Sequence, residues 1–295
     1  MTQTFPAAKP QSGLGAPFAA LVAGALAMGI SPIFVRVADV GPFASAFWRV
    51  ALALPALYAW ARLTDRDDAP AARPFATPTI LAGLAFAGDL FFWHLSIVST
   101  SIADATFFAT TAPIWVVVFG WLILRERADR KTLAGLAFCI LGGGALLAQS
   151  LNLRPAEALG DLYGLATGIF FGLYFLAVKA ARRGRSAARV TLEATIITAA
   201  ILLLVALRLE GSILPHSVKG VAALLAMAWI SHAGGQGLLS IALGRLPATF
   251  SSLVIFLEAI FAAAFAYALL GEPVSLVQGL GGVLILVGIF VARPS

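Results

Sequence analysis

Ten apolar runs alternate with short polar gaps along the chain, at roughly 16–37, 43–63, 77–97, 103–124, 132–149, 160–181, 189–208, 219–241, 247–270 and 274–292. Crossing a bilayer takes about 20 predominantly apolar residues. A chain inside lipid must also satisfy its own backbone hydrogen bonds, which a helix does. The pattern therefore predicts ten transmembrane helices in an all-α integral membrane protein. The longest polar stretch, Thr64 to Thr77, is too short for a soluble domain. A polar, proline-containing tail over residues 1–15 carries Lys9 as its only charged side chain. The apolar run after it exceeds the length of a signal-peptide core, so it is read as the first span.

The runs are related to one another. Ile114, Phe119, Leu124, Glu126, Gly135 and Gly142 recur 146 residues later as Ile260, Phe265, Leu270, Glu272, Gly281 and Gly288. Trp115 and Trp121 fall opposite Phe261 and Tyr267. Each copy is an apolar run, a short polar turn bearing a glutamate, and a second apolar run with glycines seven residues apart. The repeat divides the chain into five-span halves, 16–149 and 160–293. Membrane segments repeated at long period are the pattern of transporters built from two halves around a central site.

Composition and charge sharpen this reading. Hydrophobic residues make up 60% and charged residues 12%, with a mean hydropathy of +0.95; soluble domains average about 45–50% apolar and 25% charged. A formal net charge of +6 would suit nucleic acid, but the basic residues occupy the gaps between spans. No nucleic-acid partner is expected, and the charge is read as a topology signal. Fifteen Lys and Arg fall at the termini and in one alternating set of gaps, four fall in the other set, and Arg49 stays inside a span. That asymmetry places both termini in the cytoplasm. The single Cys139 excludes an intramolecular disulfide and takes a packing role.

Five spans per half is an odd number, so the second half enters the membrane upside down relative to the first. The turn Arg125-Glu126-Arg127-Ala128-Asp129-Arg130-Lys131 holds four basic residues, and its repeat mate Gly271-Glu272-Pro273-Val274-Ser275-Leu276-Val277 holds none. Equivalent turns of opposite charge character belong on opposite faces, and such inverted repeats give alternating access a structural route.

The run from Ala112-Pro113-Ile114 to Leu124-Arg125-Glu126-Arg127, followed by Gly135 and Gly142, resembles the EamA domain of the drug/metabolite transporter superfamily. The second copy, with Leu270-Gly271-Glu272 and Gly281, resembles a second EamA domain. The resemblance covers nearly the whole chain. It implies a secondary transporter of the bacterial inner membrane that exports amino acids, other metabolites or drugs. The aromatic-rich third and fourth spans turn that expectation towards amino acids, aromatic or otherwise apolar. One departure makes the halves functionally unequal: Glu258-Ala259 stands where the first copy has Ala112-Pro113.

Insertion scales charge about 2.5–3.5 kcal/mol for a central Arg, Lys or Asp, so such residues face the bundle interior or water. Arg49, Asp89, His94, His232, Gln236 and Glu258 lie deep enough to qualify as substrate-binding candidates, with Trp93 and Trp115 as cavity wall. Arg36, Asp39, Asp104, Glu193 and Arg208 lie near span ends and are read as reaching the interface. Arg49 either clamps a substrate carboxylate through two parallel hydrogen bonds or pairs with Asp89, at comparable depth on the third span. Asp89 and His94 are about 140° apart around a helix and share no narrow stripe, whereas Trp93 follows Asp89 at i+4. His94 either bonds substrate or is a neutral core histidine held by a backbone carbonyl. Glu258 is a proton-coupling candidate or a protonated bridge between helices. His232 and Gln236, at i and i+4, line a cavity or bridge helices.

Three histidines without a His-x-x-x-His pair predict no metal, and no cofactor is expected. Pro32, Pro55 and Pro113 predict bends. Gly142–Gly144, Gly281, Gly282 and Gly288 permit close helix packing, inside the bundle or in a homodimer. A channel would explain the spans but not the two halves, and no filter-like loop or acidic ring is present. An enzyme or ATP-driven pump would need a constellation such as G-x-S-x-G, H-E-x-x-H or a nucleotide loop, and none occurs. The expected function is export of a small molecule across the lipid bilayer by alternating access. Proton-driven export of drugs or other metabolites, and a channel-like facilitator, stand as alternatives.

Overall fold

Every backbone N–H and C=O inside a bilayer needs an internal partner, and the chain meets that demand with helices. The computed structural model describes residues 15–64, 74–100, 102–125, 128–147, 158–270 and 274–294. Lys9 in the N-terminal tail and the two turn glutamates, Glu126 and Glu272, lie outside the described residues. Among the described residues the helices form ten spans, in two inverted sets of five. The third (Thr77–Ser99), fifth (Arg130–Leu147), sixth (Ala158–Ala181), seventh (Ala187–Leu209) and tenth (Leu276–Val291) run without a break.

The other five are interrupted. The first is Gly15–Gly29 then Ser31–Val37, the second Pro42–Ala51 then Leu54–Thr64, and the fourth Ile102–Ala109 then Ala112–Leu124. Pro32, Pro55 and Pro113 follow these breaks by one to two residues; proline lacks an N–H and its ring collides with the carbonyl four residues back. The ninth span (Ala248–Val254, Leu257–Leu270) and the eighth (Val218–Ala226, Gly237–Leu243) break without proline. In the eighth, a ten-residue π-helix, Met227–Gln236, runs through Gly234 and Gly235.

The fifth and tenth spans meet backbone to backbone. A Cβ on Gly135 would lie 2.5 Å from the carbonyl oxygen of Gly288, and one on Gly288 would lie 2.6 Å from that of Gly135. A Cβ on Gly142 would lie 2.6 Å from the Gly281 oxygen. Between these pairs the Cys139 thiol points at the Ile285 carbonyl, Sγ to O 3.7 Å. Residue numbers rise along one span as they fall along the other, so the two are antiparallel. Adding 146 to Gly135 and subtracting it from Gly288 turns one contact into the other, Gly281 with Gly142. That is the signature of a two-fold axis between the halves, and it places the glycine packing inside the bundle.

The same axis relates two further pairs. The third span packs along the sixth, and the eighth along the first. Ser96 donates to the Gly160 carbonyl at 2.8 Å in one pair, and Ser231 to the Ala27 carbonyl at 2.8 Å in the other. Phe86, Phe175, Phe256, Leu202 and Met227 fill the interior, while Leu122, Leu141, Leu204, Leu280 and Phe290 face outward.

Two acids expected at the interface are instead buried, because hydrogen bonds replace their water. Asp104 is 0% exposed and shares the Thr100 hydroxyl with Asp161. Glu193 accepts from Arg185 at 2.7 Å and from the Phe75 N–H at 2.8 Å. Arg185 also donates to Thr79 at 2.8 Å, Arg182 to the Ser240 carbonyl at 2.8 Å, and Lys179 to the Leu246 carbonyl at 2.8 Å, all on the face rich in basic residues. On the opposite face Glu210 caps the second span by accepting from Phe43 and Ala44 N–H groups at 2.7 and 2.9 Å. There Asp39 accepts from the His216 N–H at 3.1 Å. A hydrogen bond from Ser217 holds the Asp39 carboxyl below its ordinary range.

The glycine axis is testable. Gly142→Ala drives a methyl into the Gly281 backbone, which no rotamer change relieves, and overpacking of this kind costs about 1–3 kcal/mol. Gly279→Ala on the tenth span meets open space. Thermal unfolding of the purified protein should show a lowered midpoint for Gly142→Ala and none for Gly279→Ala; equal midpoints would show that the axis tolerates side chains.

Candidate functional site

Four of the interrupted spans are interrupted beside the same cavity. Met28, Ser31 and Pro32 flank the break in the first span, Thr106 and Thr110 that in the fourth, and Ile255 and Glu258 that in the ninth, while Gln236 ends the π-helix of the eighth; all line this cavity. Arg49 enters from the second span, Asp89 and Trp93 from the third, and Thr167 and Phe171 from the sixth. The breaks in the fourth and ninth spans occupy equivalent repeat positions, since Thr110 and Phe256 are 146 residues apart. Each starts a new helix at the cavity wall, and a helix N-terminus presents partial positive charge there. The cavity measures about 50 Å³, room for a few waters and not for an amino acid.

Its chemistry is one cation against two acids. Arg49 is 4% exposed, and its guanidinium stands 5.2 Å above the Trp93 ring, a favourable cation–π arrangement. No direct ion pair joins Arg49 to Asp89 or Glu258, but all three line the same cavity. Asp89 is 6% exposed. Glu258 lies in the first turn of Leu257–Leu270. Ser31 Oγ, Arg49 Nε, Gln236 Oε1 and Glu258 Oε1 are buried without a hydrogen-bond partner among the described residues. Such atoms are a small minority in folded proteins, and these four converge on one cavity.

Of the eight residues singled out from the sequence, the cavity brings together Arg49, Asp89, Trp93, Gln236 and Glu258. Gln236 also reaches across to the first span, Nε2 to Met28 Sδ 3.2 Å. The other three stand behind the wall. His94 is 0% exposed and its Nδ1 donates to the Leu90 carbonyl at 2.8 Å. His232 bonds Thr195 Oγ1 through Nε2 at 2.9 Å, joining the eighth span to the seventh, and packs on Phe86. Trp115 stacks on Phe119 with centroids 6.0 Å apart. Sequence reasoning passed over the hydroxyls of Ser31, Thr106, Thr110 and Thr167. Their signal was position: Ser31 precedes Pro32, and Thr110 lies three residues before Pro113.

Residues 16–147 and 158–293 each match the family model of the EamA-like transporter family. An uncharacterized transporter of Methanothermobacter thermautotrophicus is 26% identical over 196 residues, 65% of this chain, and the chain spans only 57% of that relative's length. An uncharacterized transporter of Archaeoglobus fulgidus is 26% identical over 292 residues, covering 93% of this chain and 95% of the relative. A solved crystal structure at 19% identity superposes with a TM-score of 0.76 over 94% of this chain and 95% of the other, which establishes the likeness of fold.

Coupling across the cavity predicts non-additive substitutions. Arg49→Met leaves two acids facing each other without a cation, and Asp89→Asn removes one of them. The unfolding midpoint should fall less in the Arg49→Met/Asp89→Asn double variant than the separate losses add up to, with an interaction of about 0.5–3 kcal/mol. Additive losses would mean that the charges do not communicate.

Proposed function

This chain belongs to the EamA-like transporter family, and on that basis we propose that it exports amino acids across the bacterial inner membrane by alternating access. The observation that carries the substrate class is the cavity that gathers Arg49, Asp89 and Glu258 on its wall. A guanidinium matches a carboxylate through parallel hydrogen bonds, and a carboxylate pair suits an ammonium, so the two ends of an amino acid each meet their counterpart. Trp93, Phe171, Met28 and Ile255 on the cavity wall favour an aromatic or otherwise apolar side chain. A cavity of about 50 Å³ admits such a guest only after the spans move, as a carrier requires and an open channel does not.

A second reading concerns energy. The cavity holds two acids for one cation, and either a substrate ammonium or a proton balances the excess. Glu258 has a buried oxygen without a partner and sits where the first half has the neutral Ala112, which makes it the residue to carry a proton during antiport. Proteoliposome flux tests both readings. Arg49→Lys keeps the charge and loses the fork, so transport of an amino acid should fall at least tenfold, the factor about 1.4 kcal/mol corresponds to. The decarboxylated amine should be a poor substrate of the wild type. Under an imposed pH gradient Glu258→Gln should exchange substrate but not accumulate it. Equal flux of amino acid and amine removes Arg49 from the site; wild-type flux indifferent to the gradient identifies a facilitator.

The proposed orientation puts both termini and the basic face in the cytoplasm, from the fifteen-to-four distribution of Lys and Arg. Both Arg130 and Val274 are exposed, so each accepts a cysteine in a Cys139→Ala background. A membrane-impermeant maleimide added outside intact cells should label Val274→Cys and spare Arg130→Cys. The reverse pattern would invert the assignment.

A further inference from the structure

The basic face holds a hollow that the central site does not use. A cavity of about 700 Å³ lies between the fourth and sixth spans, the turn before the fifth, the start of the ninth and the end of the tenth. Arg130, Lys131, Lys179, Arg183, Arg245 and Arg293 line it, from four separate stretches of chain, and Asp129 is the only carboxylate among the described lining residues. Asp129 is committed elsewhere. Its Oδ1 accepts from the Thr132 N–H at 2.7 Å and so caps the fifth span. Hydrogen bonds from Thr132 hold its carboxyl below the ordinary range. Nearby, burial and then the charge of Arg245 hold Arg182 below the usual guanidinium range, so cations crowd together here. The positive-inside rule accounts for basic residues at span ends. It does not account for their convergence on one hollow.

The hollow continues towards lipid. Phe250, Arg293 and Pro294 also line a cleft of about 450 Å³, together with Phe18, Leu246, Leu286, Ile289 and Phe290. This cleft is apolar and runs between the first and tenth spans, where Phe18, Leu286 and Phe290 are exposed. Arg293 marks the junction, its guanidinium 4.1 Å above the Phe290 ring.

We propose that the two cavities together form a site for one anionic phospholipid, its acyl chain in the apolar cleft and its phosphate among Arg245, Arg293 and the neighbouring cations. Guanidinium groups take phosphate oxygens through paired hydrogen bonds, and basic pockets between membrane helices are suited to anionic headgroups. A free organic phosphate shares the headgroup chemistry but leaves the apolar cleft unused. A lipid seated here ties the start of the first span to the start of the ninth and the end of the tenth, and so spans both halves.

The test uses the full chain in nanodiscs of phosphatidylcholine, with or without phosphatidylglycerol, read by native mass spectrometry of retained lipid and by the unfolding midpoint. Wild type should retain phosphatidylglycerol selectively and unfold at a higher temperature in its presence. Arg245→Gln/Arg293→Gln should lose both effects while keeping the wild-type midpoint in pure phosphatidylcholine. Leu286→Gln in the cleft should weaken retention. Arg62→Gln, exposed on the same face but outside the hollow, should retain both effects. Selectivity that survives the double substitution, or equal retention of the two lipids by wild type, overturns the proposal. So does a midpoint shift from inorganic phosphate in pure phosphatidylcholine as large as that from phosphatidylglycerol, which would assign the hollow to a free anion.

Discussion

The architecture depends on a contact made largely backbone to backbone, with the Cys139 thiol between two glycine pairs. Where the fifth and tenth spans cross, Gly135 and Gly142 lie against Gly288 and Gly281 closely enough that a single added carbon would collide with a carbonyl oxygen. In lipid no hydrophobic drive brings two helices together, so backbone approach through small residues becomes the main source of attraction, aided by Cα–H···O contacts. Because each glycine pair repeats the other, the contact defines the axis that relates the halves. Spans five and ten run unbroken through it, while five of the other eight are interrupted. An unbroken pair lies on the axis, and four of the five interrupted spans break beside the central cavity.

The axis makes the halves alike in fold, and the chemistry makes them unlike. Both the fourth and the ninth span break at the cavity, but by different means. Pro113 removes a donor in the fourth. In the ninth, Glu258 and Ala259 donate to Ile255 and Phe256 at 2.8 and 3.2 Å, three residues back instead of four. A tight turn of this kind inside a helix is a common hinge geometry, and it sets a carboxylate in the first turn of the following helix. The repeat mate of that carboxylate is Ala112, which is buried and neutral. The pair of equivalent breaks is therefore polarised, and the acidic side of the cavity comes from Asp89 in one half and Glu258 in the other.

Much of this was legible in the sequence because lipid imposes length and apolarity on every span. The ten runs, the three proline breaks and the glycine repeat follow from local physics that one residue can report. Asp89 and Trp93, related at i+4, share the cavity wall, while Asp89 and His94, both candidates from the sequence, share no narrow stripe and part here. His94 bonds the carbonyl of Leu90 one turn back. The π-helix of the eighth span and the tight turn of the ninth carry no proline, so no single residue announces them. The burial of Asp104 and Glu193 was equally hidden: their partners Thr100 and Arg185 lie just outside the spans that carry the acids, and position near a span end suggested solvent.

Contacts on both faces are made at the same time. On one, Glu210 caps the second span and Asp39 holds the chain at His216. On the other, Arg185, Glu193 and Thr79 tie the start of the seventh span to the third. Among the described residues none lines both the Arg49 cavity and the basic hollow. Parting the contacts at either face would break bonds of different character. On one side the Glu210 carboxylate and two N–H groups, partly buried, return to water at the interface. On the other, a pair whose side chains are 7% and 5% exposed must be solvated as it parts, and separating a buried pair costs more than separating a surface one. The two-fold symmetry of the fold is consequently not a symmetry of its energetics.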